Sequence, residues 1–148
     1  MSRRAAPLPL EESLGFQVRD LNRLMQRALA ARIAPHGVAP GAWYFLRVLW
    51  EEDGLTQRAL AARIGMQEPT AVIALRGMEE AGWITRARSE DDRRKVHVHL
   101  TPAGRRLRET LLPEARAVIA QATRGMTEAE RAALLALLRR ARASLEGA

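Results

Sequence analysis

The stretch from Gln67 to Arg76 offers side chains of the types that read bases in double-stranded DNA. In the major groove, arginine pairs well with guanine and glutamine with adenine, while an aliphatic side chain can contact the methyl group of thymine. The candidate base-reading residues are Gln67, Glu68, Thr70, Val72, Ile73 and Arg76. The alternative is that these residues form the solvent-facing side of an ordinary amphipathic helix.

A second group of charged side chains lies in residues 86–95, which read RARSEDDRRK. This segment is too polar to pack and is rich in donors for phosphate. The candidate contacts to phosphates or to the minor groove are Arg88, Arg93, Arg94 and Lys95. The acids Glu90, Asp91 and Asp92 lie among them, so the segment is not a simple cationic patch. A charge run of this kind, taken alone, is more often a solvated loop.

Two consecutive helices must position the first group. Thr56 can cap the first helix through its side-chain oxygen, and Gly65 can end it by adopting a positive φ. Pro69 suits the first turn of the second helix, where its missing N–H costs nothing. Four apolar residues of that helix recur at helical spacing and predict one buried stripe, namely Ala71, Ala74, Leu75 and Met78.

A β-hairpin must position the second group. Its strands are predicted at Trp83 to Ala87 and at Val96 to Leu100, because valine and histidine alternate in the second segment. His97 and His99 therefore share one face of a strand, which could bind a metal, but further ligands are missing from the pattern. The sequence also lacks an HExxH motif, a nucleophile elbow and a phosphate-binding glycine loop. We expect no enzymatic activity, no metal and no cofactor.

These segments resemble the winged helix-turn-helix of the MarR family of bacterial transcription regulators. The resemblance rests on the runs LTQRALAARIGM, PT, MEEAGWITR and DDRRKVHVHLTPAG, and it extends over nearly the whole chain. It implies a mainly α-helical fold with a small β-hairpin wing and with dimerisation helices at both ends. Thr56 is counted with the DNA-binding candidates. The resemblance further implies that Asp92 pairs with one neighbouring arginine and leaves another free for the groove.

The chain departs from the family at two positions of the second helix. The family often has a basic or polar residue where this chain has Ile73, and Glu68 is acidic in a helix expected to contact DNA. Both departures bear on the operator sequence.

The resemblance and the helical patterns together predict one domain over residues 1–148. Residues 1–10 are expected to form a flexible arm, 11–54 and 102–148 a helical dimerisation region, and 55–101 the DNA-binding lobe. The last helix carries more leucines than one core stripe needs, which favours a twofold homodimer over a monomeric bundle. The first helix is predicted from Glu11 to about Ala34, and Pro113 is a possible kink.

A small-molecule site is predicted near the second helix of the chain. In the resembled family, small anionic aromatic or lipophilic ligands occupy a cleft between the dimerisation helices and the DNA-binding lobe. Flat apolar walls and a cation for a carboxylate are offered by His36, Trp43, Tyr44 and Arg47. The alternative is that the aromatic residues belong to the core and that Arg47 is a surface residue.

Composition agrees with a nucleic-acid partner. The 148 residues carry a formal net charge of +7 and contain no cysteine, so a polyanionic partner is favoured and thiol-based sensing is excluded. The absence of a long apolar run predicts a cytoplasmic protein. We expect a homodimeric repressor that binds a pseudo-palindromic operator and is released by a small aromatic or anionic ligand. The alternative is a winged-helix protein-interaction module without sequence-specific DNA binding.

Overall fold

The computed structural model describes residues 5–148. The first four residues of the predicted arm, including Arg3 and Arg4, lie outside the described residues. Six helices and one hairpin follow in chain order: α1 (Leu14–Ile33), α2 (Trp43–Glu51), α3 (Gln57–Ile64), α4 (Glu68–Glu80), β1 (Ile84–Arg88), β2 (Val96–Leu100), α5 (Pro102–Ala122) and α6 (Glu128–Glu146). Short 3-10 turns at Leu10–Glu12, Ala34–His36 and Pro40–Ala42 flank α1 and lead into α2. The mainly α-helical winged fold that the sequence predicts is confirmed.

Helix α1 begins three residues later than predicted because Ser13 caps it. The Ser13 hydroxyl accepts a hydrogen bond from the backbone N–H of Phe16 at 3.3 Å, and Glu11 belongs to the preceding 3-10 turn. Local hydrogen bonding by serine thus sets the boundary, which helical periodicity alone does not locate. Helix α5 continues through Pro113, the residue predicted as a possible kink.

Helix α2 lies at the centre of the core. Phe45, Leu46 and Leu49 are almost fully buried on this helix. They belong to one cluster of buried apolar residues that extends along the chain from residue 33 to residue 115. These include Ile33, Leu60, Leu75, Ile84, Val98 and Leu111. The short aromatic helix is therefore the hub that joins the long helices to the helix-turn-helix.

The hairpin pairs antiparallel from Ile84 opposite Leu100 to Arg88 opposite Val96. β1 is thus shifted one residue along the chain from its predicted position. The loop before α3 pairs with the edge of β2. Thr56 forms a bridge with His97, and the Val98 backbone N–H donates to the Leu55 carbonyl at 2.8 Å. This edge anchors the wing to the start of α3.

The two histidines of β2 help to hold this edge. The Nδ1 atom of His97 lies 3.0 Å from the carbonyl oxygen of Gly54, and the rings of His97 and His99 stack with their centroids 6.5 Å apart. Over residues 5–148, no cluster of three side chains suited to metal binding occurs. His97 thus contacts the loop at residues 53–55, and His99 stacks on the His97 ring.

The start of α5 locks onto the turn between α4 and β1. Thr101 caps α5 by accepting from the Gly104 backbone N–H at 3.1 Å, and its hydroxyl donates to the Gly82 carbonyl at 2.6 Å. A Cβ atom on Gly104 would lie 2.1 Å from the Trp83 carbonyl oxygen. Glycine is therefore required at this position so that α5 can approach the turn.

Helix α6 extends from this body without burying any residue of its own in the single chain. Thr127 caps it through a hydrogen bond from the Glu130 backbone N–H. Several of its leucines are exposed, including Leu134, Leu135, Leu137 and Leu145. In the part of the chain that the structure describes, no helix is both long enough and apolar enough to span a membrane.

Candidate nucleic-acid interface and adjoining pocket

The helix-turn-helix is formed by α3, a tight turn and α4. Thr56 is half-buried and its hydroxyl accepts from the Ala59 backbone N–H at 3.1 Å. Gly65 has φ of +77° and ends α3. The structure therefore gives Thr56, one of the DNA-binding candidates, a capping contact within the protein.

Helix α4 turns its apolar stripe inward and its candidate base-reading residues outward. Ala71, Leu75 and Met78 are buried, as the sequence predicts, whereas Ala74, the fourth residue of the predicted stripe, is half-buried. Ile73 has an exposed fraction of 71%. The other exposed candidates on this helix or at its start are Gln67, Glu68, Thr70 and Arg76, whereas Val72 is half-buried. The exposed surface of α4 thus combines hydrogen-bonding groups with one prominent aliphatic side chain.

Glu68 has a local role at the beginning of α4. It is the first residue of the helix, where a negative charge interacts favourably with the partial positive charge of the helix N-terminus. Gln67 precedes it at the N-cap position without a side-chain capping bond. The Gln67 amide therefore stays available for an external contact.

The wing tip is ordered by Asp92. Its carboxylate accepts from the backbone N–H of Arg94 at 3.0 Å and from the Arg94 side chain at 3.1 and 3.2 Å. The hydrogen bond from the Arg94 side chain is the main cause that holds the pKa of Asp92 below its ordinary value. Asp92 pairs with a neighbouring arginine in the way that the family resemblance implies, and Arg93 beside it is exposed.

The other cations of the tip differ in how they are held. An N–H group of Arg88 donates to the Arg93 carbonyl oxygen at 2.8 Å and so closes the tip. Lys95 is exposed, while its backbone N–H donates to the Asp92 carbonyl oxygen. Among the described residues, Arg93 and Lys95 are the tip cations whose side chains are exposed and form no hydrogen bond or ion pair within the chain.

Arg86 connects the wing to both helices of the helix-turn-helix, and the sequence patterns did not reveal this connection. Its guanidinium donates to the Gln57 side-chain oxygen on α3 at 3.0 Å and to the Glu79 carboxylate on α4 at 3.1 Å. The Arg86 backbone N–H also donates to Glu79, at 3.1 Å. Gln57 is buried, and the Nε atom of Arg86 is buried with no partner among residues 5–148.

The ion pair between Arg86 and Glu79 favours the ionised form of Glu79. The hydrogen bond from the Arg86 side chain lowers the pKa of Glu79 below its ordinary value of 4.5, against a smaller opposing effect of desolvation. Glu79 is therefore ionised at neutral pH. The sequence does signal the inward orientation of Arg86, because an arginine two residues after a buried strand residue, Ile84, must share its inward face.

A pocket of about 370 Å³ adjoins the core where α1, α2 and α5 meet. Three of the four predicted ligand-binding residues line it, namely Trp43, Tyr44 and Arg47. The Arg47 guanidinium lies over the Trp43 ring, 5.6 Å from its centroid. His36 is not among the lining residues and lies in the 3-10 turn after α1.

The remaining pocket walls are mostly apolar. Leu29, Ile33, Val118 and Ile119 contribute aliphatic surface, and the polar residues Asn22 and Gln26 of α1 lie at the lining as well. Apolar walls with a single cation and a few amides suit a flat molecule that carries an anionic group. Tyr44 is exposed and Trp43 is buried, so the aromatic pair is partly core and partly pocket wall.

Comparison with known proteins gives consistent matches. The model of the MarR family matches residues 40–96. The HTH-type transcriptional regulator TtmR of Methylorubrum extorquens is 34% identical over 131 residues, which cover 87% of this chain and 65% of that protein. A putative transcriptional regulatory protein for the hcr operon of Thauera aromatica is 32% identical over 132 residues, covering 86% of this chain and 77% of the relative.

A solved structure has the same architecture. BpsR of Bordetella bronchiseptica superposes with a TM-score of 0.82 over 93% of this chain and 98% of BpsR, at 23% identity. At this level of identity the likeness concerns the fold.

Proposed function

This chain belongs to the MarR family of transcriptional regulators, which are not enzymes, and on that premise we propose that it is a homodimeric repressor of a pseudo-palindromic DNA operator. The observation that carries the proposal is the outward surface of α4, where Gln67, Thr70 and Arg76 are exposed together. A helix with a buried apolar stripe and exposed polar side chains suits insertion into the major groove. The exposed wing cations Arg93 and Lys95 would contact phosphates or the minor groove.

The exposed apolar surface of the terminal helices supports the homodimer. Leu14, Val18 and Leu21 of α1 are exposed, as are four leucines of α6. Exposed apolar side chains that recur along a helix favour a partner, and a twofold copy of the same chain is the commonest one. In such a dimer the two α4 helices would meet half-sites about 34 to 36 Å apart.

The pocket beside Arg47 supports regulation by a small aromatic or anionic ligand. Its volume of about 370 Å³ lies within the range of roughly 300 to 1,000 Å³ that ligand sites occupy. DNA binding by BpsR, which shares the fold, is regulated by 6-hydroxynicotinic acid. A ligand bound between α1, α2 and α5 would act on the helices that join the dimerisation region to the helix-turn-helix. A coupling of about 1 to 3 kcal/mol would suffice for release.

A protein-interaction module is the second candidate function. The observation that favours it is the apolar Ile73 at 71% exposure on α4, close to the acidic Glu68. Such a module would bind DNA weakly and without regard to sequence.

Selection of bound duplexes from a random DNA pool distinguishes the two candidates. For the repressor we expect an enriched inverted repeat whose half-sites are about one helical turn apart. A titration of that duplex with salt should then give a steep slope, and Arg93→Ala should reduce it by about 0.9, the value for one lost phosphate contact. Arg108→Ala, which removes the same charge from an exposed position of α5, is the matched control and should leave the slope unchanged. Absence of enrichment, or equal affinity for unrelated duplexes, would favour the interaction module.

A further inference from the structure

Ile73 occupies the middle of the outward surface of α4. The buried residues Ala71, Leu75 and Met78 define the inward direction of this helix, and at 3.6 residues per turn Ile73 points nearly opposite to them. Its exposed fraction of 71% is therefore a consequence of its position on the helix, and most of this side chain is free for a contact from outside the protein.

The neighbours of Ile73 on the helix surface leave it accessible. Residues three and four positions away are surface neighbours, here Thr70 and Arg76 at three, and Pro69 and Gly77 at four. Gly77 has no side chain, and a Cβ atom there would meet no atom within 4 Å. Ile73 thus projects above a low surface, flanked by a hydroxyl and a guanidinium.

A single exposed isoleucine is common on protein surfaces and indicates nothing by itself. The charges around this one decide between a protein partner and DNA. The chain has a net charge of +7, Arg76 is three residues from Ile73, and the wing adds Arg93 and Lys95. A polyanion is the partner that these charges favour.

The major groove offers one apolar group to such a side chain, the methyl group on C5 of thymine. 5-Methylcytosine carries the same group at the same ring position. We propose that Ile73 detects a C5 methyl group in the major groove, and that it makes the protein bind more tightly to thymine or 5-methylcytosine than to uracil or cytosine at one position of each half-site. The proposal rests on the proposed DNA-binding function. Val72 is half-buried and presents less surface for this contact.

Two pairs of bases that differ only by the methyl group test the proposal. In the selected operator, each thymine of one half-site is replaced in turn by uracil, with the matching change in the other half-site. At the position that Ile73 contacts, we expect Kd to rise about fourfold per methyl group removed, the value for burial of one methyl-sized group. When cytosine stands at that position instead, its methylation should lower Kd by a similar factor.

The variant Ile73→Ala removes the detector and should bind both members of each pair equally. Leu8→Ala shortens an equally exposed side chain, at 75%, ahead of α1, and should keep the wild-type preference. An operator whose affinity is indifferent to every methyl group, or a preference that persists in Ile73→Ala, would overturn the inference while leaving the repressor intact. If no operator can be selected, both proposals fail together.

Discussion

Gly77 lies in the middle of α4, where an added Cβ atom would meet no atom of another part of the chain within 4 Å. Glycine in a helix interior lowers stability by roughly 0.5 to 1 kcal/mol relative to alanine. Neither a turn nor internal packing explains its presence, whereas close approach of a DNA strand beside Ile73 would.

We expect Gly77→Ala to stabilise the protein by about 0.5 to 1 kcal/mol, because alanine restricts the unfolded chain and suits the helix. The same methyl group should weaken operator binding, since it raises the surface at the proposed contact. Urea unfolding and a DNA titration of one preparation measure both effects. Unchanged DNA affinity would show that DNA does not approach this part of α4.

Gly104 gives the opposite expectation for the same substitution. Its added Cβ atom would lie 2.1 Å from the Trp83 carbonyl oxygen, which is backbone and cannot move aside as a side chain could. We expect Gly104→Ala to destabilise the protein by about 2 kcal/mol or more. Urea unfolding beside Gly77→Ala provides the comparison, and equal stabilities of the two variants would contradict it.

At the scale of elements, the Arg86 network determines how the wing is held. Arg86 of β1 contacts α3 and α4. Its guanidinium donates to Gln57 on α3 and to Glu79 on α4, and its backbone N–H also donates to Glu79. A wing fixed to α4 in this way can present its tip cations in a constant relation to the exposed surface of that helix. The network therefore connects the two parts of the proposed DNA contact.

The lowered pKa of Glu79 predicts a pH dependence of stability. A carboxyl group whose pKa is lower in the folded state stabilises the protein above its unfolded pKa, near 4.5, and this contribution disappears as the pH falls through the folded pKa. Glu79→Gln should therefore reduce the free energy of unfolding at neutral pH, by up to about 1 kcal/mol for such a partly exposed pair. The difference should shrink as the pH falls below 4.5 and through the lowered folded-state pKa.

Urea unfolding at several pH values measures this effect. Glu80→Gln removes the next acid of α4 and leaves the Arg86 pair intact, so it serves as the control. A Glu79→Gln deficit that is the same at neutral and acidic pH would show that ionisation of Glu79 is not its cause.

The sequence predicted the elements better than the contacts between them. Local signals such as the Thr56 cap, Gly65 and the apolar stripe of α4 are carried by neighbouring residues, and the structure follows them. The Arg86 network joins residues 57, 79 and 86, and no local pattern contains such a contact. The prediction that His36 lines the pocket also depended on a contact between distant parts of the chain. His36 lies in the turn after α1, before α2 begins, and does not line the pocket.

At the scale of the whole molecule, the exposed apolar surface is concentrated in the terminal helices. α6 buries no residue in the single chain, although Leu134 and Leu137 are large apolar side chains. The core around α2 is complete without them. Assembly and folding of the DNA-binding lobe should therefore be separable by mutation.

We expect the double variant Leu134→Glu and Leu137→Glu to be monomeric and to keep a folded lobe, because charges at these positions oppose burial between two copies. Sedimentation equilibrium measures the mass, and circular dichroism measures the retained helix. Operator affinity should fall at least tenfold, since a monomer contacts one half-site. The change of Glu128 and Glu130 to glutamine, on the same helix, is the control, and a double variant that remains dimeric would contradict the proposed interface.

In the proposed dimer α6 is covered only by a second copy, so the amount of the DNA-binding species would depend on the concentration of the chain itself. The active species would form in proportion to the square of the free chain concentration as long as most chains are single. Promoter occupancy would then rise more steeply than the number of chains in the cell, and a modest change in synthesis would separate a silent gene from an expressed one. The exposed apolar surface of α6 would in this way make repression depend on a threshold concentration of the chain.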